Sequence, residues 1–385
     1  VLWASKQIGR PVKWTADRTE AFLTDCHGRD HVTDAKLALD AEGNITGLRT
    51  KTYASLGAYL SNFSTCIPTW LHGTLMQGLY TTPAVHVDVT GVVTNTVPVD
   101  AVRGAGRPEA SFCVERLVET AAREIGMDPA EFRLKNFIPP FDGVEQEGYQ
   151  TQVALQYDSG NYEGALKKVL KNANYEKLKE ERAAARSDGK LMGIGFSTYV
   201  EACGIAPSAV VGSLGARVGL YDAASIRVHP TGKVTIFVGA HSHGQGHETT
   251  FAQIVADSFG IGMDDVDVLH GDTEKVPFGM GTYGSRSLAV CGSAIMKSID
   301  KVKEKGARIA AHKLECNPED LEFANGSWNV KGTEKSVGFG DVALTAYVPH
   351  DYPVNEEPGL DFASFYDPTN FVYPFGAHIC VVEID

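Results

Sequence analysis

The sequence predicts an α+β protein in which short strands, some of them paired antiparallel, alternate with long helices. Two runs of alternating apolar and polar residues flank Asp40-Ala-Glu-Gly-Asn44, which indicates a β-hairpin. Apolar residues recur at helical spacing over 109–125, which predicts an amphipathic helix. Several strand-like runs lead through glycine-rich turns into helices. The chain contains no internal repeat and no low-complexity tract.

The predicted elements follow one another along the chain. A first helix ends at Gly9, which can adopt the left-handed conformation of a C-cap. Strands are expected over 10–14, 32–39, 45–54, 85–94, 191–203, 216–228, 233–238, 266–269 and 378–384. Helices are expected over 109–125, from Pro129 onward, and over 162–186, 251–259 and 289–314. Residues 55–82 are interpreted as a loop with short helical turns, and 320–385 as a strand-rich remainder.

Local signals also suggest where the domains divide. Asp128 is the expected N-cap of the helix that begins at Pro129, because its carboxylate can accept backbone N–H groups. Further on, Ile138-Pro-Pro-Phe-Asp-Gly-Val144 stops any regular element. We therefore predict two domains, 1–140 and 141–385. Both chain ends cut through predicted structure, which suggests a fragment of a longer polypeptide, incomplete at both ends.

The composition is that of a globular protein and excludes some classes of partner. The net charge of −13 argues against a nucleic-acid backbone as the ligand. No apolar run reaches the roughly 18 residues that a membrane span needs. The seven cysteines are scattered without a Cys-x-x-Cys pair. This favours reduced thiols in the cytoplasm and argues against an iron–sulfur cluster or structural zinc site within this chain.

Three glycine-rich loops share one arrangement, a turn that opens a long helix. They are Ala101–Pro108, Gly239–Thr250 and Gly279–Leu288. Glycines let a backbone pass close to a ligand, and a helix N-terminus directs unpaired N–H groups and a positive dipole end toward an anion. Because two of the loops also carry Arg, we expect one large anionic ligand held from several sides.

The same loops allow other kinds of site. His241, His243 and His247 suggest a zinc-type centre and hence a metal-dependent hydrolase, although no acidic residue stands at the helix spacing that would complete it. Gly279–Gly284 matches the dinucleotide fingerprint, but the acidic residue expected about 20 residues later is missing. The favoured interpretation is that the histidines donate hydrogen bonds around a bound cofactor or pack.

Taken together, the loops resemble those of a known family. Ser242–Thr250, Gly281–Ser287 and Arg103–Arg107 are similar to segments of the molybdenum-binding large subunit of the xanthine dehydrogenase / aldehyde oxidase family, as are Tyr373–Ile379 and Gly195–Cys203. The similarity covers essentially the whole chain and is greatest to the aerobic carbon monoxide dehydrogenase type, in the form without copper. It implies two α/β molybdopterin-binding subdomains, 1–140 and 141–385.

The resemblance implies a molybdenum–molybdopterin cofactor, expected in its cytosine dinucleotide form. Gln245 is expected to hydrogen-bond near the molybdenum oxo group or the pterin, and the 282–287 loop to bind pterin and phosphate. The Arg103–Arg107 loop is expected to border the metal, and substrate to pass near Phe196–Glu201. No residue of this chain is expected to ligate the metal. The expected cofactor-binding residues are Arg103, Gly104, Ala105, Gly106, Gly244, Gln245, Gly246, Thr282, Tyr283, Gly284, Ser285, Arg286 and Ser287.

The reaction that the resemblance implies is hydroxylation of an aldehyde or an aromatic N-heterocycle with oxygen from water. Electrons would pass to 2Fe-2S clusters and FAD, carried by a small and a medium partner subunit in a dimer of heterotrimers. The family's general-base Glu lies in a Gly-x-Gly-Glu segment, expected beyond Asp385, and its Gly-Gly-Phe-Gly loop is expected upstream of Val1. The fragment is therefore expected to be inactive alone.

One departure from the family bears on the substrate. Carbon monoxide oxidation in this family uses a cysteine that binds copper, and the matching position here is Gly104. Without a thiolate, copper(I) has no soft ligand. We therefore expect no carbon monoxide oxidation. That activity stays an alternative, as does the metal-dependent hydrolase.

Overall fold

The computed structural model describes residues 1–142, 148–205 and 207–384. Its α-helices are α1 (Leu2–Ile8), α2 (Arg18–Thr24), α3 (Arg107–Glu124), α4 (Pro129–Asn136), α5 (Tyr162–Ala173), α6 (Tyr175–Ser187), α7 (Ser208–Ser213), α8 (His247–Phe259), α9 (Ser293–Leu314) and α10 (Phe339–Tyr347). Its strands are β1 (His31–Leu39), β2 (Ile45–Gly57), β3 (Val85–Val93), β4 (Phe141–Asp142), β5 (Tyr149–Gln150), β6 (Gln156–Tyr157), β7 (Ser159–Gly160), β8 (Leu191–Val200), β9 (Asp222–Val228), β10 (Val234–Val238), β11 (Val266–Leu269), β12 (Leu321–Ala324), β13 (Ser327–Val330), β14 (Ser336–Gly338), β15 (Asp361–Tyr366) and β16 (Phe375–Ile384). Two π-helical segments cover Ile67–His72 and Ser287–Gly292.

The first sheet has the strand order β1-β2-β3. β1 and β2 pair antiparallel, with Leu37 opposite Leu48, and β2 pairs parallel with β3. Helix α3 packs against this sheet and against α4, and its buried face includes Val118 and Ala122. The loop that precedes α3 is therefore anchored at its C-terminal end by a helix that packs in the protein core.

The second sheet has the order β11-β10-β9-β15, with β10 and β11 parallel and the other pairs antiparallel. Helices α8, α9 and α10 cover it. Its core contains Ile236, Phe251, Phe259 and Ile299, all essentially inaccessible to solvent. Burying each such side chain contributes about 1.5–3 kcal/mol. The loops that leave β10 and enter α9 therefore start from a rigid base.

A long antiparallel pair, β8 with β16, forms a further two-stranded sheet. Helices α5 and α6 pack against these strands. β8 ends at Val200, where the chain continues in an extended run, 201–205, toward the glycine-rich loops. This run is one of the five segments that line the site described below.

Several predicted elements are confirmed. The hairpin around Asp40–Asn44 is β1–β2, and the helix over 109–125 is α3. Asp128 caps α4, since its carboxylate accepts a hydrogen bond from the Ala130 N–H at 2.8 Å. The strand over 266–269 is β11. No helix in the described part of the chain is long and apolar enough to cross a membrane.

Other predictions are wrong in detail. Residues 10–14 form no strand, because they pair with no neighbouring strand within the described residues. The helix over 162–186 is two helices, broken where Asn174 adopts a left-handed conformation with φ 51°. The helix over 289–314 starts as the π-helical segment Ser287–Gly292, and α8 starts at His247, before residue 251. The division at 140/141 stays a prediction, and residues 143–147 lie outside the described residues.

Candidate functional site

The three glycine-rich loops meet at one cavity of about 600 Å³, within the range of about 300–1,000 Å³ typical of small-molecule sites. Five segments line it, and they lie far apart in the sequence: 63–71, 101–107, 201–205, 243–247 and 282–288. Arg103, Gln245 and Ser285 all face it. One residue from each of the three glycine-rich loops therefore lines a single pocket.

The loop before α3 approaches the cavity closely because of its glycines. Gly104 and Gly106 have φ of 93° and 85°, a backbone conformation that side chains disfavour. A Cβ at Gly106 would also lie 2.7 Å from the Leu71 carbonyl carbon. Arg29 donates a hydrogen bond to the Arg103 carbonyl, which holds the loop from behind. The turn therefore cannot be built with larger residues at Gly106.

The loop between β10 and α8 leaves space open. Gly244 and Gly246 have φ of 99° and 79°, and a Cβ at either would meet no atom within 4 Å. Gln245 lies between them and accepts a hydrogen bond from the His243 N–H. Gly246 precedes the first turn of α8, whose N-terminal N–H groups and dipole favour a negatively charged ligand.

The loop over 279–288 is tied to the 201–205 run. The Gly204 N–H donates to the Ser285 carbonyl at 3.0 Å, and the Ile205 N–H donates to the Gly284 carbonyl at 3.2 Å. Ser285 has φ 55°, which is unusual for a residue other than glycine. Such backbone conformations cluster at ligand sites, where surrounding contacts hold them in place. Thr282 Oγ1 accepts from the His241 N–H at 3.0 Å, which joins this loop to the neighbouring one.

Arg286 lies behind the cavity, and its side chain is fully buried. Its Nη2 donates to the Leu220 and Tyr221 carbonyls and lies 3.3 Å from Asp222 Oδ2. Burial raises the pKa of Asp222, whereas the Ala223 N–H and the Arg286 charge lower it. Arg286 thus supports the 282–287 loop from inside the protein.

The predicted site residues divide into two groups. Those that line the cavity are Arg103, Gly104, Ala105, Gln245, Thr282, Tyr283, Gly284, Ser285 and Ser287. Those that shape the loops without lining it are Gly106, Gly244, Gly246 and Arg286. Their assignment as cofactor-binding residues stays a prediction.

The cavity also has walls that were not predicted as binding residues. Apolar side chains of Phe63, Ile67 and Leu71 cover one side. They come from a segment without clear periodicity, so the sequence carried no signal for them. Phe196, expected near the substrate, instead packs against Tyr175 with ring centroids 5.2 Å apart.

Polar groups at the same cavity include Arg107, Glu201 and His247. Arg107 Nε and His247 Nδ1 are buried and have no hydrogen-bond partner within the described residues. Burial lowers the pKa of Arg107, and the negative charge of Glu201 opposes that shift. Unpartnered buried donors are costly, about 1–3 kcal/mol each, unless a ligand or water satisfies them. The cavity wall therefore offers unpaired polar nitrogens, among them Arg107 Nε, to acceptor atoms of a ligand.

The histidines form a cluster beside the cavity. The His241 ring lies 5.2 Å from those of His243 and His270, measured between centroids, and His270 Nε2 lies 2.8 Å from Glu248 Oε1. Within residues 1–142, 148–205 and 207–384, no group of three or more His, Cys, Asp and Glu side chains has an arrangement that could hold a metal ion. The geometry therefore gives the metal-dependent hydrolase no support.

Comparison with known families decides the assignment. A family model for the molybdopterin cofactor-binding domain matches residues 168–385, and a second model of the same description matches residues 1–137. The chain belongs to the molybdopterin cofactor-binding family. The resemblance drawn from the loops is thereby confirmed.

Relatives of this molybdopterin-binding chain are similar over its whole length. The carbon monoxide dehydrogenase large chain of Hydrogenophaga pseudoflava is 43% identical over 99% of the chain and 47% of the relative. The 6-hydroxypseudooxynicotine dehydrogenase complex subunit gamma of Paenarthrobacter nicotinovorans is 34% identical over 100% of the chain and 47% of the relative. The crystal structure of a Cu,Mo-CO dehydrogenase matches with a TM-score of 0.88 and 38% identity, over 100% of this chain and 48% of that one. The molybdopterin-binding chain thus spans about half the length of these relatives, 47–48%.

The residues of the molybdopterin-binding chain fit such a cofactor. Open space lies above Gly244 and Gly246, where side chains would fill it. A helix N-terminus and the amide of Gln245 supply donors suited to a heterocycle and to phosphate oxygens, whereas the Ser285 hydroxyl, which donates to Glu201, offers its oxygen as an acceptor. The unpartnered buried nitrogen of Arg107 adds a further donor at the wall.

Proposed function

We propose that this chain holds the molybdenum–molybdopterin cofactor, in its cytosine dinucleotide form, of a molybdenum hydroxylase. The whole enzyme would oxidise an aldehyde or an aromatic N-heterocycle with water as the source of oxygen. The observation that carries the proposal is the convergence of the three glycine-rich loops on one cavity of about 600 Å³. The bound molybdenum centre supplies the two-electron oxidation, and the protein supplies binding and orientation.

Each loop has its own part in the proposal. Gln245 hydrogen-bonds to the cofactor beside the metal or at the pterin, with its carbonyl oxygen already oriented by the His243 N–H. The 282–287 loop binds the pterin and phosphate through N–H groups and hydroxyls, and the Ser285 hydroxyl, which donates to Glu201, serves there as an acceptor. The Arg103–Gly106 turn borders the metal.

Partner subunits complete the electron path in this proposal. Iron–sulfur clusters need several Cys ligands close together, and the seven cysteines of this chain are free and dispersed. We propose a medium subunit with FAD and a small subunit with 2Fe-2S clusters, in a cytoplasmic dimer of heterotrimers. The general-base Glu is proposed to lie beyond Asp385, and the two cofactor-binding domains to divide at 140/141.

The wall of the cavity supports an organic substrate. Phe63, Ile67 and Leu71 present apolar surface, which suits the ring or chain of an aldehyde or heterocycle. At the position where the copper-dependent members of the family have a cysteine, this chain has Gly104. The proposed substrate is therefore an organic molecule rather than carbon monoxide.

Gln245→Ala in the full-length enzyme, purified with its partner subunits, tests the proposal. Gln245 is exposed in this structure, and a bound cofactor would bury it. Loss of such a contact costs about 1–3 kcal/mol, so we expect cofactor retention to weaken roughly tenfold to hundredfold. The measurement is molybdenum by elemental analysis and pterin by fluorescence after acid release, each per chain. Gln253→Ala is the matched control, since Gln253 is exposed on helix α8, which follows the loop that carries Gln245.

Two outcomes would contradict the proposal. Unchanged molybdenum and pterin content in Gln245→Ala would remove Gln245 from the site. A wild-type enzyme with stoichiometric zinc, and without molybdenum or pterin, would remove the cofactor assignment itself.

A further inference from the structure

The extended run 201–205 holds one carboxylate against the cavity. The Glu201 N–H donates to the Pro374 carbonyl at 2.9 Å, and the Cys203 N–H donates to the Val372 carbonyl at 2.8 Å. On the other side, Gly204 donates to the Ser285 carbonyl at 3.0 Å. The backbone that carries Glu201 is therefore fixed on both sides, and its side chain has little freedom to leave the cavity.

Glu201 is the only carboxylate among the described residues that line the cavity. Its Oε1 accepts a hydrogen bond from the Ser285 hydroxyl. An ionised carboxylate offers about four acceptor sites, so the Ser285 hydroxyl and the Cys203 thiol, which both hydrogen-bond to Glu201, leave acceptor capacity on a side chain that is only half-buried. Because Glu201 lines the cavity, a ligand bound there can donate to its remaining acceptor sites.

Nearby cations do not use this capacity. Arg107 is close enough for the negative charge of Glu201 to raise the pKa of its guanidinium. Its hydrogen bonds go elsewhere, however: Nη1 donates to the Ala105 carbonyl at 3.1 Å, and Nη2 donates to the Ala202 carbonyl. Within the described residues, no Lys, Arg or His nitrogen forms an ion pair with Glu201. A charged acceptor that no protein cation contacts directly favours a ligand that brings its own N–H donor.

We propose that Glu201 recognises an N–H donor of a nitrogen heterocycle bound in the cavity. This inference rests on the proposed function. Two ligands of the site have that chemistry: the pterin of the cofactor, and a substrate heterocycle that carries a ring N–H or a protonated nitrogen. An aldehyde has no such donor, so a contact to substrate makes Glu201 a specificity-determining residue that favours N-heterocycles over aldehydes.

The test uses Glu201→Met and Glu201→Gln in the full-length enzyme with its partner subunits. Methionine keeps the length of the side chain and removes the acceptor, whereas glutamine keeps a neutral acceptor. Molybdenum and pterin are measured per chain, and kcat and KM are measured for a protonated N-heterocycle and for an aromatic aldehyde of similar size. Glu356→Met is the control, because Glu356 pairs with Arg308 outside the cavity. Thermal unfolding checks that the variants fold.

The two sources of the N–H donor give different results. If the donor is on the substrate, Glu201→Met raises KM for the N-heterocycle about tenfold to hundredfold, leaves the aldehyde KM and the cofactor content unchanged, and Glu201→Gln restores part of the loss. If the donor is on the pterin, cofactor content falls, and activity on both substrates falls in proportion.

A folded Glu201→Met enzyme that matches Glu356→Met in cofactor content and in both KM values overturns the inference. So does an equal rise in KM for both substrates at full cofactor content. The proposed function survives these results, because it is tested separately by the molybdenum and pterin content of the wild-type enzyme and of Gln245→Ala.

Discussion

Arg286 and Asp222 show how single residues fix the cavity from behind. Both side chains are fully buried, and their charged atoms lie 3.3 Å apart. Asp222 also lies directly against Gly239, where a Cβ would come within 2.1 Å of its Oδ1. The pair therefore connects the base of the 239–250 loop to the base of the 282–287 loop.

Asp222→Ala is expected to destabilise the protein by about 3–5 kcal/mol, because it leaves the buried Arg286 guanidinium without its charged partner. The measurement is the free energy of unfolding from urea denaturation. Asp361→Ala is the control, since the Asp361–Arg227 pair is exposed and such pairs contribute about 0–1 kcal/mol. An equal loss of unfolding free energy in the two variants would show that the buried pair stabilises the protein no more than the exposed pair does.

At this scale the sequence predicted some residues better than others. Gly104, Gln245 and Ser285 were predicted to lie at a ligand site because glycine-rich turns before helices are local signals. Arg286 belongs to the same local motif, but only the fold determines that its side chain points inward to Asp222. Phe63 and Leu71 line the cavity from a segment with no periodic pattern, and nothing local could have indicated them.

At the scale of elements, a buried ionic network joins helices α3 and α4 to strand β8. Arg133 on α4 donates to Glu115 Oε2 at 3.0 Å and to Glu119 Oε2 at 3.1 Å, both on α3. Glu115 Oε2 also accepts from the Thr198 N–H on β8 at 2.8 Å. α3 begins at the Arg103–Arg107 loop, and β8 leads directly into Glu201. The network therefore sets the separation of two walls of the cavity.

Glu115→Ala should lower the free energy of unfolding by about 3–5 kcal/mol, since Arg133 and the Thr198 N–H lose a buried charged acceptor. Glu163→Ala provides the comparison, because Glu163 pairs with Lys167 on the exposed face of α5 and such helix pairs contribute about 0.2–0.5 kcal/mol. Urea denaturation of both variants measures the difference. A loss below 1 kcal/mol in Glu115→Ala, near the ceiling for an exposed pair, would mean that the network is dispensable.

Elements that depend on local chemistry were predicted, and those that depend on tertiary packing were not. The β1–β2 hairpin and the Asp128 cap follow from residues close in sequence. The break at Asn174 could not be predicted from the sequence, because the charged run around it has ordinary helix propensity. The π-helical start at Ser287–Gly292 likewise follows from how the 282–287 loop is held by Arg286, which no local pattern reveals.

At the scale of the whole molecule, two hydrophobic cores carry the site. One core joins the β9–β11 and β15 sheet to α8, α9 and α10. The other joins the first sheet, α3 and α4 to distant residues such as Tyr157, Val200 and Phe371. The cavity draws loops from both cores, which explains why segments more than two hundred residues apart meet. Sequence reasoning reached that convergence through the family resemblance and through the shared form of the loops, not through any local signal for long-range packing.

The thiols near the cavity bear on the proposed substrate of the whole enzyme. No cysteine is among the described residues that line the cavity, and Gly104 is at the position where the family resemblance implies a copper-binding cysteine. Cys203 is the thiol beside Glu201, but burial and then the Glu201 charge raise its pKa to about 12, so it keeps its proton. Copper(I) binds the deprotonated form.

We therefore expect the full-length enzyme with its partner subunits to show no carbon monoxide-dependent dye reduction and no change on addition of copper(I). An organic substrate of the same preparation serves as the positive control for an active cofactor. Carbon monoxide oxidation that rises with bound copper would contradict this expectation and would require a copper ligand other than the residue at position 104.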